Sequence, residues 1–400
     1  LRRHDRPCGD GSMHLTFDSL ISHDITYVGV IQTAKASGMT EFPVPYVLTN
    51  CHNSLCAVGG TINEDDHVFG LSAAVKYGGD YVPANQAVIH QYAREMMSGC
   101  GRMILGSDSH TPTGGGIGML SFGAGGLDVA VAMGGGAYYI TMPKMTRINL
   151  HGALSPWVSA KDIILEVLRI MSVKGGVGKI IEYGGDGVKT LSVPERATIT
   201  NMGTELGATT SVFPSDEVTK AFLAAQGREQ DWVEVKADDD AVYDEVIDID
   251  LSTLEPLAAM PHMPDNVKKV SEIGEIKIDQ VCIGSCTNSS LYDMLKVAAI
   301  LKGKRVAPSV SLTISPGSMQ VLRMLSEDGA LSDILGAGAR LLECACGPCI
   351  GMGQSPNSGA VSLRTFNRNF EGRSGTADAG VYLVLSLIHI SEPTRRVVIS

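Results

Sequence analysis

Four hundred residues exceed what a single hydrophobic core serves, so two or three domains are expected. Apolar residues make up 44% and charged ones 19%, the balance of an ordinary globular protein rather than a disordered chain. The net charge is −11 and no long basic run occurs, which removes the electrostatic footprint of a nucleic-acid binder. No apolar run reaches membrane-spanning length. The nine cysteines follow no secreted-scaffold spacing, so a reducing compartment is expected: the cytoplasm, or the mitochondrial matrix in a eukaryote.

Residues 1–20 are polar and patternless. From Ile21 to Ser37 apolar and small residues mix, with Gly38 as a helix stop. Phe42 to Thr49 reads as a strand delivering Asn50-Cys-His-Asn53, where His52 alone would pass for a strand-end surface histidine. Glu64 to Tyr77 has helical spacing, and Val68, Leu71, Ala74 and Val75 are predicted to face the core. His90 follows in Ala87-Val-Ile-His-Gln91. Met103-Ile-Leu is a short buried strand ending in Gly106-Ser-Asp-Ser-His110. Open α/β sheets place ligands where a strand ends in such polar residues and glycines, although Asp108 also suits a turn.

The glycine-rich run from Gly114 to Gly136 lacks the Lys-Ser/Thr of a phosphate loop and suits close helix packing instead. Ile148 to Gly152 reads as a strand and Trp157 to Met171 as an amphipathic helix. Glu182, in Ile180-Ile-Glu-Tyr183, is on pattern alone a solvent-facing carboxylate. Small and hydroxyl residues from Ala197 to Pro214 suit tight packing near a polar site. Acidic clusters at Asp238–Asp240 and Asp244–Asp250 read as solvated surface or linker, with a boundary near Lys269 to Glu275. Beyond it, strands at Lys277–Ile283 and Val310–Ile314 alternate with helices at Leu291–Leu301 and from Met319, an α/β pattern with its site at the strand ends.

Arg340 to Leu342 leads into Glu343-Cys-Ala-Cys-Gly-Pro-Cys-Ile-Gly351. Gly347 and Pro348 let the backbone wrap tightly, bringing Cys346 and Cys349 to one centre. Cys286 lies far upstream, in Gly284-Ser-Cys-Thr-Asn288. Three thiolates from two turns suit an iron–sulfur cluster with one iron free of protein ligands, a Lewis acid for a substrate hydroxyl. Cys282, Cys286, Cys346 and Cys349 equally suit a structural zinc, and spacing leaves both open. Arg368 and Arg373 suit bidentate carboxylate binding, or surface salt bridges.

Ser107-Asp-Ser-His-Thr-Pro-Thr-Gly114, Gly284-Ser-Cys-Thr-Asn288, Cys346-Gly-Pro-Cys-Ile-Gly351 and Asn367-Arg-Asn-Phe-Glu-Gly-Arg373 together resemble the aconitase family. The likeness is strong from about Gly106 to Val384 and weaker before. It implies three α/β domains, with parallel or mixed sheets flanked by helices, around a central cleft, divided 1–145, 146–270 and 271–386. Residues 387–400 look foreign to the pattern. The resemblance implies a [4Fe–4S] cluster on Cys286, Cys346 and Cys349, and a hydro-lyase converting citrate to isocitrate through cis-aconitate. His52 would protonate the departing hydroxyl, His90 would pair with Asp108, and His110 with Glu182. Ser109, Asn367, Arg368 and Arg373 would bind a small di- or tricarboxylate. Val28 and Cys51 stand where the family has Gln and Asp, so His52 is expected to lack its carboxylate. The family's final domain, which carries the serine base, is expected as a missing domain or a separate small subunit, leaving this chain inactive alone. The alternative is the large subunit of 3-isopropylmalate dehydratase or homoaconitase; an RNA-binding regulator fits the acidic balance poorly.

Overall fold

A computed structural model describes the backbone of residues 5–7 and, in full, residues 11–52, 60–136 and 138–385. Cys8 and the expected tail at 387–400 lie outside the described residues. The described chain forms three α/β sheets and a small antiparallel one.

The first large sheet is wholly parallel, in the order Asp80–Val82, Tyr46–Thr49, Ser19–His23, Met103–Gly106, Leu120–Gly123. Its three inner strands are short runs buried on both faces, as parallel strands covered by helices must be. Strand order reverses between Ser19–His23 and Met103–Gly106. Chains leave an open sheet in opposite directions at such a point and open a crevice beyond the carboxyl ends. Asp24 and Ser107–His110 emerge there.

The second sheet is parallel, in the order Thr210–Val212, Lys179–Gly184, Lys144–His151, Glu245–Asp250. Its last strand corrects the expectation of an acidic linker. Glu245, Asp248 and Asp250 are partly or fully exposed while Ile249 is buried, so the acidic run carries period-two alternation at a sheet edge. Helix Ala160–Met171 covers this sheet. Ser159 and Asp162 cap each other at its start, and Ile163, Ile164, Val167 and Leu168 are fully buried. Each such side chain contributes about 1.5–3 kcal/mol.

The third sheet has seven strands. Val361–Arg364 and Gln280–Ile283 are central, and Gly380–Leu383, Ser311–Ile314 and Arg340–Leu341 extend them in parallel. Leu257–Ala259 and Val267–Lys269 add antiparallel strands. Leu257 and Ala259 nevertheless pack in the core of the second sheet, and the Leu257 amide donates to the buried Asp162 carboxylate at 2.7 Å. The order again reverses between Gln280–Ile283 and Val361–Arg364, and residues 284–286 and 365–368 leave at that crevice.

Helix Thr61–Tyr77 forms where predicted and buries Ala74 as expected, but the rest of its inward face is a different one. Val68, Leu71 and Val75 are 55%, 48% and 79% exposed, whereas Asn63, His67, Gly70 and Ala73 are buried. The reason is steric. A β-carbon on Gly70 would lie 2.7 Å from the Tyr27 ring, so only small residues fit where helix Tyr27–Ala36 lies against it.

Candidate active site

The carboxyl ends of the first and third sheets border one cavity of about 500 Å³. Its wall includes His23, His52, Asp108, Ser109 and His110 on one side, and Cys286, Cys346, Cys349, Asn367, Arg368 and Arg373 on the other.

Asp108 is the hub of the first side. His90 Nε2 lies 3.1 Å from its Oδ1, and the His110 amide donates to the same oxygen at 2.7 Å. His52 Nε2 and His23 Nε2 each lie 3.5 Å from Oδ2. Burial raises this carboxyl's pKa, but His90, His110 and His52 outweigh it and hold the group well below the usual range. The expected His90–Asp108 pair is therefore present, and His23, His52 and His110 share its carboxylate.

His52 does not lack a carboxylate, contrary to expectation. Asp24 accepts the His52 amide at 3.0 Å and lies 3.7 Å from Nδ1, while Asp108 faces Nε2. Burial lowers the imidazole pKa, but the Cys51 thiolate and Asp108 raise it well above the ordinary value. Asp24 is itself held by His67 Nε2 at 3.4 Å. Val28 is packed against the core of the first sheet and does not line the cavity.

The partner of His110 also differs from expectation. Glu205 Oε1 lies 2.8 Å from His110 Nε2, and Glu205 is buried. Glu182 is instead paired with Arg147 and accepts from Tyr243 at 2.8 Å, away from the cavity. Strand Lys179–Gly184 aims Glu182 at its neighbour strand, whereas helix Val193–Gly203 and the following turn carry Glu205 to the cleft. The signal was a lone carboxylate between Gly203 and Gly207 in an otherwise small and hydroxyl run. Burial works against the His110 cation, but Asp108 and Glu205 lift its pKa to about 9. Glu205 also accepts Arg368 Nε at 2.8 Å, and Arg368 Nη2 donates to Ser109 Oγ at 3.1 Å.

On the cysteine side, Asn201 Nδ2 and Asn367 Nδ2 donate to Cys286 Sγ at 3.3 and 3.4 Å. Cys349 donates its thiol proton to Ser285 Oγ at 2.9 Å. Ser285 has φ of 72°, a left-handed conformation costly for a serine and held by the loop around it. The Cys346 thiol donates to Cys286, and together with His110 and His90 this pushes Cys286 well below the usual thiol range despite burial. Lys161, wholly buried, donates to the Thr365 and Phe366 carbonyls at 2.7 and 2.5 Å and so pins the turn that presents Asn367.

Cys282 lies elsewhere. It is buried among core side chains beside Thr313, Ser362 and Arg364, so the four-sulfur zinc arrangement is not formed. Cys286, Cys346 and Cys349 do border one cavity, with amide donors aimed at sulfur, and thiolates stabilised in this way suit an iron–sulfur group. The Arg373 Nε is buried without a partner among the described residues, at the same wall.

The model of the aconitase family (aconitate hydratase) matches residues 2–275 and 267–388. The chain belongs to the aconitase family. It is 41% identical over 320 residues to 3-isopropylmalate dehydratase large subunit 2 of Archaeoglobus fulgidus, covering 80% of this chain and 77% of that one. It is 42% identical over 303 residues to large subunit 1 of the Thermotoga maritima enzyme, covering 75% and 72%. Against the mitochondrial aconitate hydratase of Saccharomyces cerevisiae it is 36% identical, with 92% of this chain covering 51% of that protein. Among solved structures, the aconitase X of Thermococcus kodakaraensis in its holo form shares the fold, with a TM-score of 0.52 at 12% identity over 96% of this chain and 87% of that one. Aconitase-family relatives make the chain a hydro-lyase. No helix among the described residues is long and apolar enough to cross a membrane.

Proposed function

We propose that this chain is the cluster-bearing large subunit of a hydro-lyase that moves water across a hydroxylated di- or tricarboxylate, with 3-isopropylmalate rather than citrate as substrate. One observation carries the reading: three cysteine sulfurs and two guanidinium groups share a cavity with a histidine flanked by two carboxylates. The relatives named as large subunits favour 3-isopropylmalate over the citrate reading of the sequence. The extent of the match to aconitate hydratase keeps citrate as the second reading.

Cys286, Cys346 and Cys349 would hold a [4Fe–4S] cluster, whose open iron supplies a Lewis acid for the substrate hydroxyl. His52, kept protonated by the Cys51 thiolate and Asp108, donates to the departing hydroxyl. Arg373, with its Nε unpaired, takes a substrate carboxylate. Arg368 is held by Glu205 and Ser109 and presents its remaining donors to a second carboxylate. The base that removes the carbon-bound proton is proposed to come from a separate small subunit or a further domain.

The test is anaerobic cluster reconstitution, followed by assay of the unsaturated intermediate from 3-isopropylmalate and from citrate, with and without a cognate small subunit. Turnover of 3-isopropylmalate only with the small subunit is expected. Citrate turnover by this chain alone, at a rate typical of complete enzymes, overturns both the substrate and the partner.

A further inference from the structure

The mechanism above gives Cys51 no contact with substrate. It is fully buried, its carbonyl accepts the Cys346 amide at 2.6 Å, and its Sγ lies 3.3 Å from His52 Nδ1. Ligand atoms of Cys51, His52 and Cys346 all fall within 4.8 Å of one another. Zinc binds sulfur at ~2.3 Å and imidazole nitrogen at ~2.0 Å, so a tetrahedral site has sulfur–nitrogen edges of about 3.5 Å and sulfur–sulfur edges of about 3.8 Å. The observed 3.3 Å contact is close to such an edge. The other ring nitrogen fits as well. His52 Nε2 faces Asp108 Oδ2 at 3.5 Å, and a metal-bound imidazole ordinarily turns its second nitrogen to a carboxylate. Two thiolates and an imidazole select zinc-class ions over magnesium or calcium.

We propose that the cluster-free protein binds one zinc-class divalent ion through Cys51 Sγ, His52 Nδ1 and Cys346 Sγ, and that this ion and the iron–sulfur cluster exclude each other. Both need Cys346. The thiol protons leave to solvent as the ion binds. The family resemblance puts an aspartate where Cys51 stands, so the site belongs to this chain's own substitution. Zinc binding stands independently of the cluster assignment; only the exclusion rests on it.

The full chain, stripped of iron and sulfide, is titrated with Zn²⁺ against a chromophoric chelator. One zinc per chain is expected, and Cys51→Ser and Cys346→Ser should each weaken it at least tenfold, since even outer-sphere partners of a metal are worth about 10–100-fold. Cys100→Ser should bind as the wild type does. X-ray absorption of the zinc-loaded wild type, which needs no variant to fold, should show two sulfur neighbours and an imidazole nitrogen. Equal affinity in Cys51→Ser, or a shell of three sulfurs without nitrogen, overturns the assignment. Zinc loaded first should block iron–sulfide reconstitution in the wild type but not in Cys51→Ser. Zinc and a complete cluster on one chain would refute the exclusion alone.

Discussion

The two walls of the cavity were built by different rules. On the third-sheet side, ligand residues sit in short loops whose shape is local: Gly284 has φ of 137°, Pro348 lies at the start of the single 3₁₀ turn Gly347–Ile350, and Gly351 ends it with φ of 84°. On the first-sheet side, the ligand residues are local but their partners are not. His52 depends on Asp24, His110 on Glu205, and Asp24 on His67, at separations of 28, 95 and 43 residues. Function on one wall is written in motifs; on the other it is written in contacts between motifs.

The largest expected effect is on the motif wall. Cys346→Ser removes a sulfur that no other side chain replaces, so anaerobically purified or reconstituted protein should lose its iron and sulfide and its brown colour. Cys100→Ser, in a loop away from the cavity, should keep all three. Iron and sulfide assays decide it, and wild-type protein that takes up no iron or sulfide after any zinc has been stripped would sink the cluster assignment itself.

The contact wall ranks second. Glu205→Gln leaves a hydrogen-bonding group beside His110 and Arg368 but removes its charge. Positioned acid–base groups contribute about 10²–10⁴-fold, so kcat/KM of the assembled enzyme should fall about 10²-fold. Glu182→Gln, at the residue that the resemblance implied, should change it less than threefold, because its partners Arg147 and Tyr243 lie outside the cavity. Equal losses in the two variants would return Glu182 to the site.

This contrast explains what was legible. The α/β class and the helix Leu291–Leu301 follow from periodicity, and the meeting of Cys346 and Cys349 at one centre from turn chemistry; the choice of three cysteines over a four-sulfur zinc and the substrate role of the two arginines followed from resemblance. The His90–Asp108 pair followed from resemblance. Glu205 and Asp24 were passed over because a buried carboxylate looks the same as an exposed one until its partner is placed. The strand Glu245–Asp250 was hidden likewise, since its acidic residues point outward from an edge that only pairing with Lys144–His151 reveals.

The pH dependence of stability sharpens the comparison further. The folded pKa of His110 is raised from 6.5 to about 9, so the folded state binds the proton more tightly than the unfolded one. The stabilisation is therefore fully present below pH 6.5 and is lost as pH rises through about 9. Thermal melts of the wild type should drop between these values. Glu205→Gln removes one of the anions responsible, the others being Asp108 and Cys286, and should flatten the drop. An unchanged profile would mean that Asp108 and Cys286 sustain the shift without Glu205.

The smallest effect belongs to helix Thr61–Tyr77, where the two faces can be set against each other. Val75 was predicted to be core but is 79% exposed, and exposed substitutions without special contacts change stability by about 0.5 kcal/mol or less. Val75→Ser should thus melt with the wild type and leave kcat/KM unchanged. The buried face carries His67, whose imidazole touches the carboxylate that holds the His52 loop. His67→Leu keeps much of the volume but leaves Asp24 with one partner fewer in a buried setting, a cost of about 1–3 kcal/mol. The same change should lower kcat more than it raises KM, because His52 acts on the departing hydroxyl and not on the bound carboxylates. Should Val75→Ser prove as damaging as His67→Leu, the helix would have both faces covered in solution, and the exposed Val68, Leu71 and Val75 stripe would have to be a contact surface.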